Sequence, residues 1–234
     1  MHETPQASKG HWERVARSGH WFASIPVGFA TALLTGAQRV TRSSGQRLFS
    51  RGDASDGMYC ILQGVVRVTA VTRSGQEALL VMLEAPHWFG EISLFDGEPR
   101  THDAWAENNC ELLHVPQEAV LSAVALYPQG WRDLGRLLAQ RLRATFIAVE
   151  EMTLLPAMPR LAARLLSIAG GYGFWGNCSK RTVRVSQEQL GLMLSLSRQT
   201  VNGSLRELEA LGAIRRGRCS IEITDIEKLR QARG

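Results

Sequence analysis

The chain has no long hydrophobic run. No stretch of its 234 residues approaches the roughly 18 consecutive apolar residues that a membrane-spanning helix needs. The first ten residues are polar and contain no apolar core of a secretion signal. These absences predict a cytoplasmic protein without a membrane partner.

Cysteine is scarce and scattered. Cys60, Cys110, Cys178 and Cys219 lie 50, 68 and 41 residues apart, and no two of them form a Cys-x-x-Cys pair. Structural zinc and iron–sulfur sites need ligands at close spacing. No metal site is therefore predicted, and each cysteine is expected to be a small buried or half-buried side chain.

Residue patterns typical of catalytic sites are also missing. The sequence has no recognisable Ser/His/Asp arrangement, catalytic carboxylate pair or Walker-type phosphate loop. Its length suits two modest cores and leaves no room for an additional catalytic domain. The sequence therefore predicts a binding protein rather than an enzyme.

Positive charge is concentrated in the C-terminal third. Residues 155–234 contain thirteen Lys and Arg against six Asp and Glu, a net charge of +7. Residues 1–154 contain fourteen Lys and Arg against sixteen Asp and Glu, a net charge of −2. A basic module beside a nearly neutral one indicates a polyanion partner for the C-terminal part.

Between about Val40 and Val120 the sequence consists of short alternating runs punctuated by glycine. In the run 57–68, for example, Gly64 separates two apolar segments of strand length. This rhythm predicts an antiparallel barrel or jelly roll.

The segment Phe89–Thr101 combines side chains that suit a sugar phosphate. Glu91 follows a glycine, and Arg100 comes nine residues later beside the hydroxyl of Thr101. A carboxylate accepts hydrogen bonds from ribose hydroxyls, and an arginine fork binds phosphate oxygens. The turn between them allows backbone N–H groups to face an anion. The pattern predicts a binding site formed by Gly90, Glu91, Arg100 and Thr101.

A long helix is predicted from about Gln129 to Leu155, where the sequence has no proline. Alternating steps of three and four residues place one stripe along it: Gly135, Leu138, Leu142, Thr145, Val149 and Met152. Such a stripe favours a parallel helix pair and hence a homodimer. The alternative is that the stripe packs on the chain's own strands. Pro156–Pro159 breaks the helix and predicts a hinge.

A helix-turn-helix followed by a hairpin is predicted near the C-terminus. Ser186 and Gln189 form a capping-box pattern for the first helix, and Ser197 is placed to cap the second. The second helix has a predicted buried stripe of Val201, Leu205, Leu208 and Leu211. The segment 214–223 then predicts a hairpin wing with a basic tip.

The second helix and the wing carry side chains that suit DNA. Those placed for base edges in the major groove are Arg198, Gln199 and Asn202. Those placed for phosphates are Ser197, Thr200, Arg215, Arg216 and Arg218.

Two of these segments resemble one known family. The segment 89–101 looks like the phosphate-binding cassette of the cyclic-nucleotide-binding fold, and the Ser-Arg-Gln-Thr-Val segment 197–201 is similar to the start of the recognition helix in CRP/FNR regulators. The resemblance implies an α+β chain with an N-terminal cyclic-nucleotide-binding β-roll (jelly roll), a long dimerisation helix and a C-terminal winged helix-turn-helix. The corresponding boundaries are 1–127, 128–155 and 156–234.

The resemblance also implies a function. We expect a homodimeric DNA-binding transcription regulator controlled allosterically by cyclic AMP or a related nucleotide. Its partners would be a palindromic operator in double-stranded DNA and RNA polymerase. Thr145 matches the family threonine that approaches the purine from the dimer interface.

The sequence departs from the family pattern at four positions. On the recognition helix, Gln199 replaces a glutamate and Gly203 replaces a base-contacting arginine, which predicts an operator different from the standard half-site. Near the ligand, Phe146 replaces a serine and His102 replaces a small residue, so both are candidates for modifying the site. A regulator that needs no ligand, or one that responds to another effector such as cyclic di-GMP, is the alternative.

Overall fold

The structure is a computed structural model that describes residues 5–71, 75, 77–173, 181–218 and 220–234. Cys60 and Cys110 are buried free thiols, as predicted, whereas Cys178 and Cys219 lie outside the described residues. No helix in the described ranges is long and apolar enough to cross a bilayer.

The N-terminal part contains two antiparallel sheets, which confirms the predicted β-roll. One sheet has the order β1-β8-β3-β6, built from β1 (Gln38–Arg42), β3 (Gly57–Gln63), β6 (His87–Phe89) and β8 (Cys110–Pro116). The other has the order β2-β7-β4-β5, built from β2 (Arg47–Phe49), β4 (Val65–Val71), β5 (Glu77–Glu84) and β7 (Asp103–Ala106).

Strand β3 lies at the centre of the first sheet and supplies much of the core. Six of its seven residues are buried, and Cys60 pairs with Leu113 and Ile61 with Leu112 across the β3–β8 ladder. A strand with apolar side chains on both faces needs cover on both sides. Helices provide part of that cover.

The described helices of the N-terminal part range from four residues in α2 to 25 residues in the last one. They are α1 (Pro5–Ser18), α2 (His20–Ala23), α3 (Val27–Thr35), α4 (Ser93–Asp96), α5 (Gln117–Leu126) and α6 (Gly130–Leu154). The N-terminal helices are anchored by aromatic rings: Phe22 stacks on Trp88 with centroids 4.5 Å apart, and Trp21 Nε1 donates to the Asp133 carbonyl at 2.7 Å.

The long helix α6 matches the predicted span to within one residue at each end. Its first part is anchored by the buried Leu134 and Leu137. On the predicted stripe, Leu142 is 54% exposed and Val149 is 57% exposed, and the neighbouring Phe146 is 65% exposed. This part of α6 therefore carries a row of exposed apolar side chains.

The C-terminal part forms the predicted helix-turn-helix and wing. Its elements are α7 (Ala157–Ala169), a 3-10 turn (Gly171–Gly173), β9 (Thr182–Val183), α8 (Gln187–Leu194), α9 (Arg198–Ala210), β10 (Ile214–Arg216), β11 (Ile221–Ile223) and α10 (Ile226–Arg233). The small sheet has the order β10-β11-β9. Leu161, Leu165, Leu190, Val201 and Leu208 are buried in this core.

Two local predictions need correction. Leu211 is 51% exposed rather than part of the buried stripe, because α9 ends at Ala210 and Gly212 turns the chain away with φ +71°. The helix break is also shorter than the predicted Pro156–Pro159. Pro156 is the N-cap of α7, and Pro159 lies in its first turn, where a proline does not disrupt helical hydrogen bonds.

Contacts within the chain divide it into two compact units. One comprises Met1–Ala70 with Val81–Ala139, and the other comprises Val71–Leu80 with Gln140–Gly234. The boundaries at residues 127/128 and 155/156 stay a prediction from the sequence.

Candidate functional site

The predicted sugar-phosphate segment begins at the last residue of β6 and contains the short helix α4. Gly90 adopts φ +95°, and Gly97, the C-cap of α4, adopts φ +72°. Glu91 lies directly after Gly90 and is fully buried, with both carboxylate oxygens enclosed by protein. Arg100 follows the turn and is 4% exposed. The structure therefore brings Gly90, Glu91 and Arg100 together at the end of one sheet.

The Arg100 side chain is held by several groups. Its Nη1 donates to the Gly90 carbonyl at 2.8 Å, and its Nη2 donates to the Gly57 carbonyl at 2.6 Å and to Asp56 Oδ1 at 2.5 Å. The guanidinium carbon lies 4.4 Å from the centroid of the Phe49 ring, at cation–π distance. Arg100 is thus a buried cation with a fixed orientation.

Asp56 is the counter-ion of this buried cation. Its Oδ2 accepts a hydrogen bond from the Tyr59 hydroxyl and lies 3.6 Å from His114 Nε2. Burial by itself would raise the pKa of Asp56, but hydrogen bonds from Tyr59 and Arg100 outweigh it and hold the pKa below its ordinary value. Asp56 is therefore ionised at neutral pH.

Thr101 and His102 lie at the exposed end of the segment. The Thr101 hydroxyl and His102 Nδ1 are 2.9 Å apart, at hydrogen-bond distance. Burial lowers the pKa of His102, and the nearby Arg51 lowers it further, against the opposing effect of Asp103. His102 is therefore neutral at pH 7 and adds no positive charge for an anion.

Gly90 is a position where the backbone excludes a side chain. A Cβ there would lie 3.0 Å from the Gly57 carbonyl and 3.1 Å from Arg100 Nη1, and φ is +95°. We expect Gly90→Ala to reduce the free energy of unfolding by about 1–3 kcal/mol through strain and the close contact. Urea denaturation followed by circular dichroism measures this change.

The matched control is Gly97→Ala. Gly97 has φ +72°, but a Cβ there meets no atom within 4 Å. The free energy of unfolding of Gly97→Ala should therefore fall only by the cost of the left-handed conformation, about 1 kcal/mol. If the two variants lost the same free energy of unfolding, the close contacts at Gly90 would not contribute to its effect.

Thr145 and Phe146, the other candidate ligand residues, are both exposed and lie on α6. They belong to the second compact unit, whereas Gly90, Glu91, Arg100 and Thr101 belong to the first. Their participation in one site stays a prediction.

The helix-turn-helix is set up by side-chain caps. Ser186 and Gln189 form a reciprocal capping box at the start of α8, as predicted. Ser197 accepts a hydrogen bond from the Thr200 N–H at 3.1 Å, and the two hydroxyls are 2.8 Å apart. The caps fix the start of α9 and leave Arg198 and Gln199 exposed on its first turn.

The wing and α9 are joined by a polar cluster. Arg216 donates through Nε to Glu209 Oε2 at 2.6 Å and through Nη1 to Asn202 Oδ1 at 3.1 Å. Hydrogen bonds from Arg216 lower the pKa of Glu209. Of the predicted DNA contacts, Asn202 and Arg216 are therefore bonded to each other within the protein.

The other basic wing residues face solvent. Arg215 is paired with Glu222 at 3.1 Å with most of its side chain exposed, and Arg218 is exposed. Gly203 lies on α9, and a Cβ there would meet no atom within 4 Å. The surface therefore has open space where the family pattern has an arginine.

Sequence reasoning missed the groups that surround Arg100. Phe49, Asp56, Tyr59 and His114 come from β2, the loop before β3, β3 itself and β8. No motif joins them, and only the pairing of β3 with β8 brings Tyr59 opposite His114. Within the described ranges, no group of three or more His, Cys, Asp or Glu side chains is placed to hold a metal ion.

The sequence matches two protein-family descriptions. Residues 39–127 match "Cyclic nucleotide-binding domain", and residues 159–232 match "Crp-like helix-turn-helix domain". The chain is 32% identical over 223 residues to the "CRP-like cAMP-activated global transcriptional regulator" of Mycobacterium tuberculosis, covering 94% of this chain and 99% of that one.

Solved structures share the fold at lower identity. FixK2 from Bradyrhizobium japonicum superimposes with a TM-score of 0.74 at 19% identity, covering 85% of this chain and 98% of that one. CLP from Xanthomonas campestris, described as a c-di-GMP responsive global regulator, has a TM-score of 0.66 at 20% identity, covering 86% of this chain and all of that one.

Proposed function

Because the chain belongs to the family of CRP-like transcriptional regulators, we propose that it is a homodimer whose affinity for a DNA operator is set by cyclic AMP. The observation that carries the proposal is the buried Arg100 beside Gly90 and Glu91, in a chain whose winged helix-turn-helix exposes Arg198 and Gln199. A fixed cation and a neighbouring carboxylate suit the phosphate and the ribose of one small ligand.

The ligand contacts follow from the chemistry of each group. Arg100 binds the cyclic phosphate, Glu91 accepts a ribose hydroxyl, and Gly90 and Thr101 supply backbone and hydroxyl contacts. Glu91 is fully buried, so ribose reaches it only when the segment opens locally. Thr145 contacts the purine from α6.

Dimerisation uses the exposed stripe of α6. Leu142, Phe146 and Val149 leave apolar surface in water that a second α6 helix buries. Phe146 then serves mainly as packing at this interface. Ligand binding resets the helix pair by shifting a two-state equilibrium, and a change from 1:99 to 99:1 needs about 5.5 kcal/mol of differential affinity.

The dimer binds a palindrome with half-sites about one helical turn apart. Base edges are contacted by Arg198, Gln199 and Asn202, and phosphates by Ser197, Thr200, Arg215, Arg216 and Arg218. The Arg216–Asn202 hydrogen bond, at 3.1 Å, ties the wing to the reading helix. The protein acts in the cytoplasm together with RNA polymerase.

A second candidate is a regulator of the same fold that is ligand-independent or responds to another effector such as cyclic di-GMP. It is favoured by the contact of Thr101 with a neutral His102, which engages a hydroxyl assigned above to the ligand. The solved CLP structure gives this candidate a precedent in the fold.

Calorimetric titration of the purified chain distinguishes the candidates. Cyclic AMP, cyclic GMP and cyclic di-GMP are each added to the protein, and duplexes are then selected from a random DNA pool with and without the nucleotide that binds. We expect low-micromolar binding of cyclic AMP and enrichment of a palindrome only in its presence. Heat from cyclic di-GMP alone, or the same palindrome selected without any nucleotide, supports the second candidate.

A further inference from the structure

We propose that the Asp56 carboxylate competes with the ligand phosphate for the Arg100 guanidinium and so sets the affinity of the site. The inference rests on the proposed binding of a cyclic nucleotide. It assigns to Asp56 an affinity-lowering role that no sequence motif indicates.

Arg100 uses its Nη2 group fully within the protein. This nitrogen has two hydrogens and two acceptors, Asp56 Oδ1 at 2.5 Å and the Gly57 carbonyl at 2.6 Å. A guanidinium offers two edges for bidentate binding, Nε with Nη2 and Nη1 with Nη2, and both need an Nη2 hydrogen. A phosphate therefore gains a two-point contact only by replacing an acceptor of Nη2.

Asp56 is the acceptor that can leave. The Gly57 carbonyl belongs to the backbone of β3, whereas the Asp56 side chain is 45% exposed and can turn into water. The Nε of Arg100 is buried and has no hydrogen-bond partner among the described residues. A phosphate that replaced Asp56 and bound the Nε–Nη2 edge would also satisfy this buried donor.

Arg100 keeps its orientation when Asp56 leaves. The Gly57 and Gly90 carbonyls still accept from Nη2 and Nη1, and the Phe49 ring still lies 4.4 Å from the guanidinium carbon. Asp56 is thus not needed to aim the cation. Its negative charge instead opposes a second anion at the same site.

Contacts on the side away from Arg100 hold the Asp56 carboxylate in its place beside the guanidinium. Its Oδ2 accepts from the Tyr59 hydroxyl, and the Tyr59 ring stacks on His114 with centroids 4.6 Å apart. His114 Nε2 also lies 2.9 Å from the Asp56 backbone carbonyl. These contacts stabilise the Asp56–Arg100 pair. They therefore increase the free energy that a phosphate must supply to displace Asp56.

Titration of the full-length Asp56→Asn variant with cyclic AMP tests the proposal. Asparagine keeps an oxygen for Tyr59 but loses the charge, so we expect the Kd to fall by about five- to twentyfold. The control is Asp53→Asn, which removes one charge from the same loop. Asp53 Oδ2 accepts from the Ser50 N–H and does not contact the guanidinium. Its Kd should remain within about twofold of the wild type.

Adenosine provides the readout that a structural role would not change. It has no phosphate, so its affinity should be the same for wild type and Asp56→Asn. Asp56→Ser, which also removes the charge, should reproduce the tighter cyclic AMP binding, and thermal unfolding checks that each variant is folded.

Each outcome bears on the proposal. Tighter binding of cyclic AMP but not adenosine supports it, as does binding by Asp56→Asn when the wild type shows none. An unchanged or raised Kd in both charge-removing variants overturns it and leaves the proposed function standing. A complete lack of binding by every variant overturns the inference together with the proposed function.

Discussion

Replacing Arg100 with leucine is expected to weaken cyclic AMP binding by at least about a hundredfold, because the phosphate of the proposed ligand loses a charge-assisted contact with a buried cation. Arg100 is 4% exposed and is the cation bonded to the Gly90 carbonyl at the start of the segment. Leucine keeps an apolar stem but does not reach the position of the guanidinium and offers no donor. Calorimetric titration of the folded variant gives the change in Kd.

The same substitution also affects stability. The Gly57 and Gly90 carbonyls each lose a hydrogen bond from Arg100, and leaving such groups without a donor costs about 1–3 kcal/mol. Asp56 remains half-exposed and recovers hydration. We therefore expect a lower melting temperature but a folded protein.

Arg39→Leu is the matched control. Arg39 lies on β1 and pairs with Glu111 at 3.1 Å, with about two fifths of its side chain exposed. Arg39→Leu should change the Kd for cyclic AMP by less than about twofold, because exposed ion pairs contribute little to stability. Undiminished cyclic AMP binding by Arg100→Leu would mean that another group holds the phosphate, which would contradict the assignment of Arg100.

The double substitution of Leu142→Glu and Val149→Glu is expected to convert the dimer to a monomer. The two side chains are 54% and 57% exposed and lie seven residues apart on the predicted stripe of α6. In a dimer with two parallel α6 helices, the substitutions would place four carboxylates at one interface. Repulsion between these like charges and the loss of apolar burial would both destabilise the dimer. Analytical ultracentrifugation measures the change in mass.

Loss of the dimer should carry a large loss of DNA affinity. A monomer binds one half-site, so we expect affinity for the selected palindrome to fall by at least about a hundredfold. Fluorescence anisotropy with labelled duplex measures this. Circular dichroism should show the helical content unchanged, because both positions face solvent within the chain.

Ile147→Glu serves as the control on the same helix. Ile147 is 49% exposed but lies off the stripe, about 140° around the helix from Leu142 by the 3.6-residue period. Ile147→Glu should leave both the mass of the dimer and its affinity for DNA unchanged. A dimer that survives the double substitution would show that α6 is not the interface.

Local signals allowed the helices of the C-terminal part to be predicted. Ser186 and Ser197 each act on a backbone N–H three residues ahead, so their effect is contained in a short stretch of sequence. The periodicity of α9 was equally local. It failed at Leu211 because periodicity alone does not say where a helix ends, and α9 ends at Ala210, one residue before the stripe does.

The candidate ligand site was predictable only in part. Gly90, Glu91 and Arg100 lie in one segment, and the chemistry of the residues identified them. Asp56 is 44 residues before Arg100, and its contact exists only because β3 places Gly57 and Asp56 beside the returning chain. An ordinary aspartate in a loop gives no sequence signal for such a contact.

In the proposed DNA-binding mode, Gly203 is a position where the operator preference can change by substitution. Its position on α9 has open space for a side chain, with no atom within 4 Å of a Cβ. A single nucleotide change turns a glycine codon into an arginine codon. If α9 reads the operator as proposed, such a change alters the promoters that are recognised while the helix keeps its packing at the Cβ, so regulatory circuits built on this scaffold can diverge in small steps.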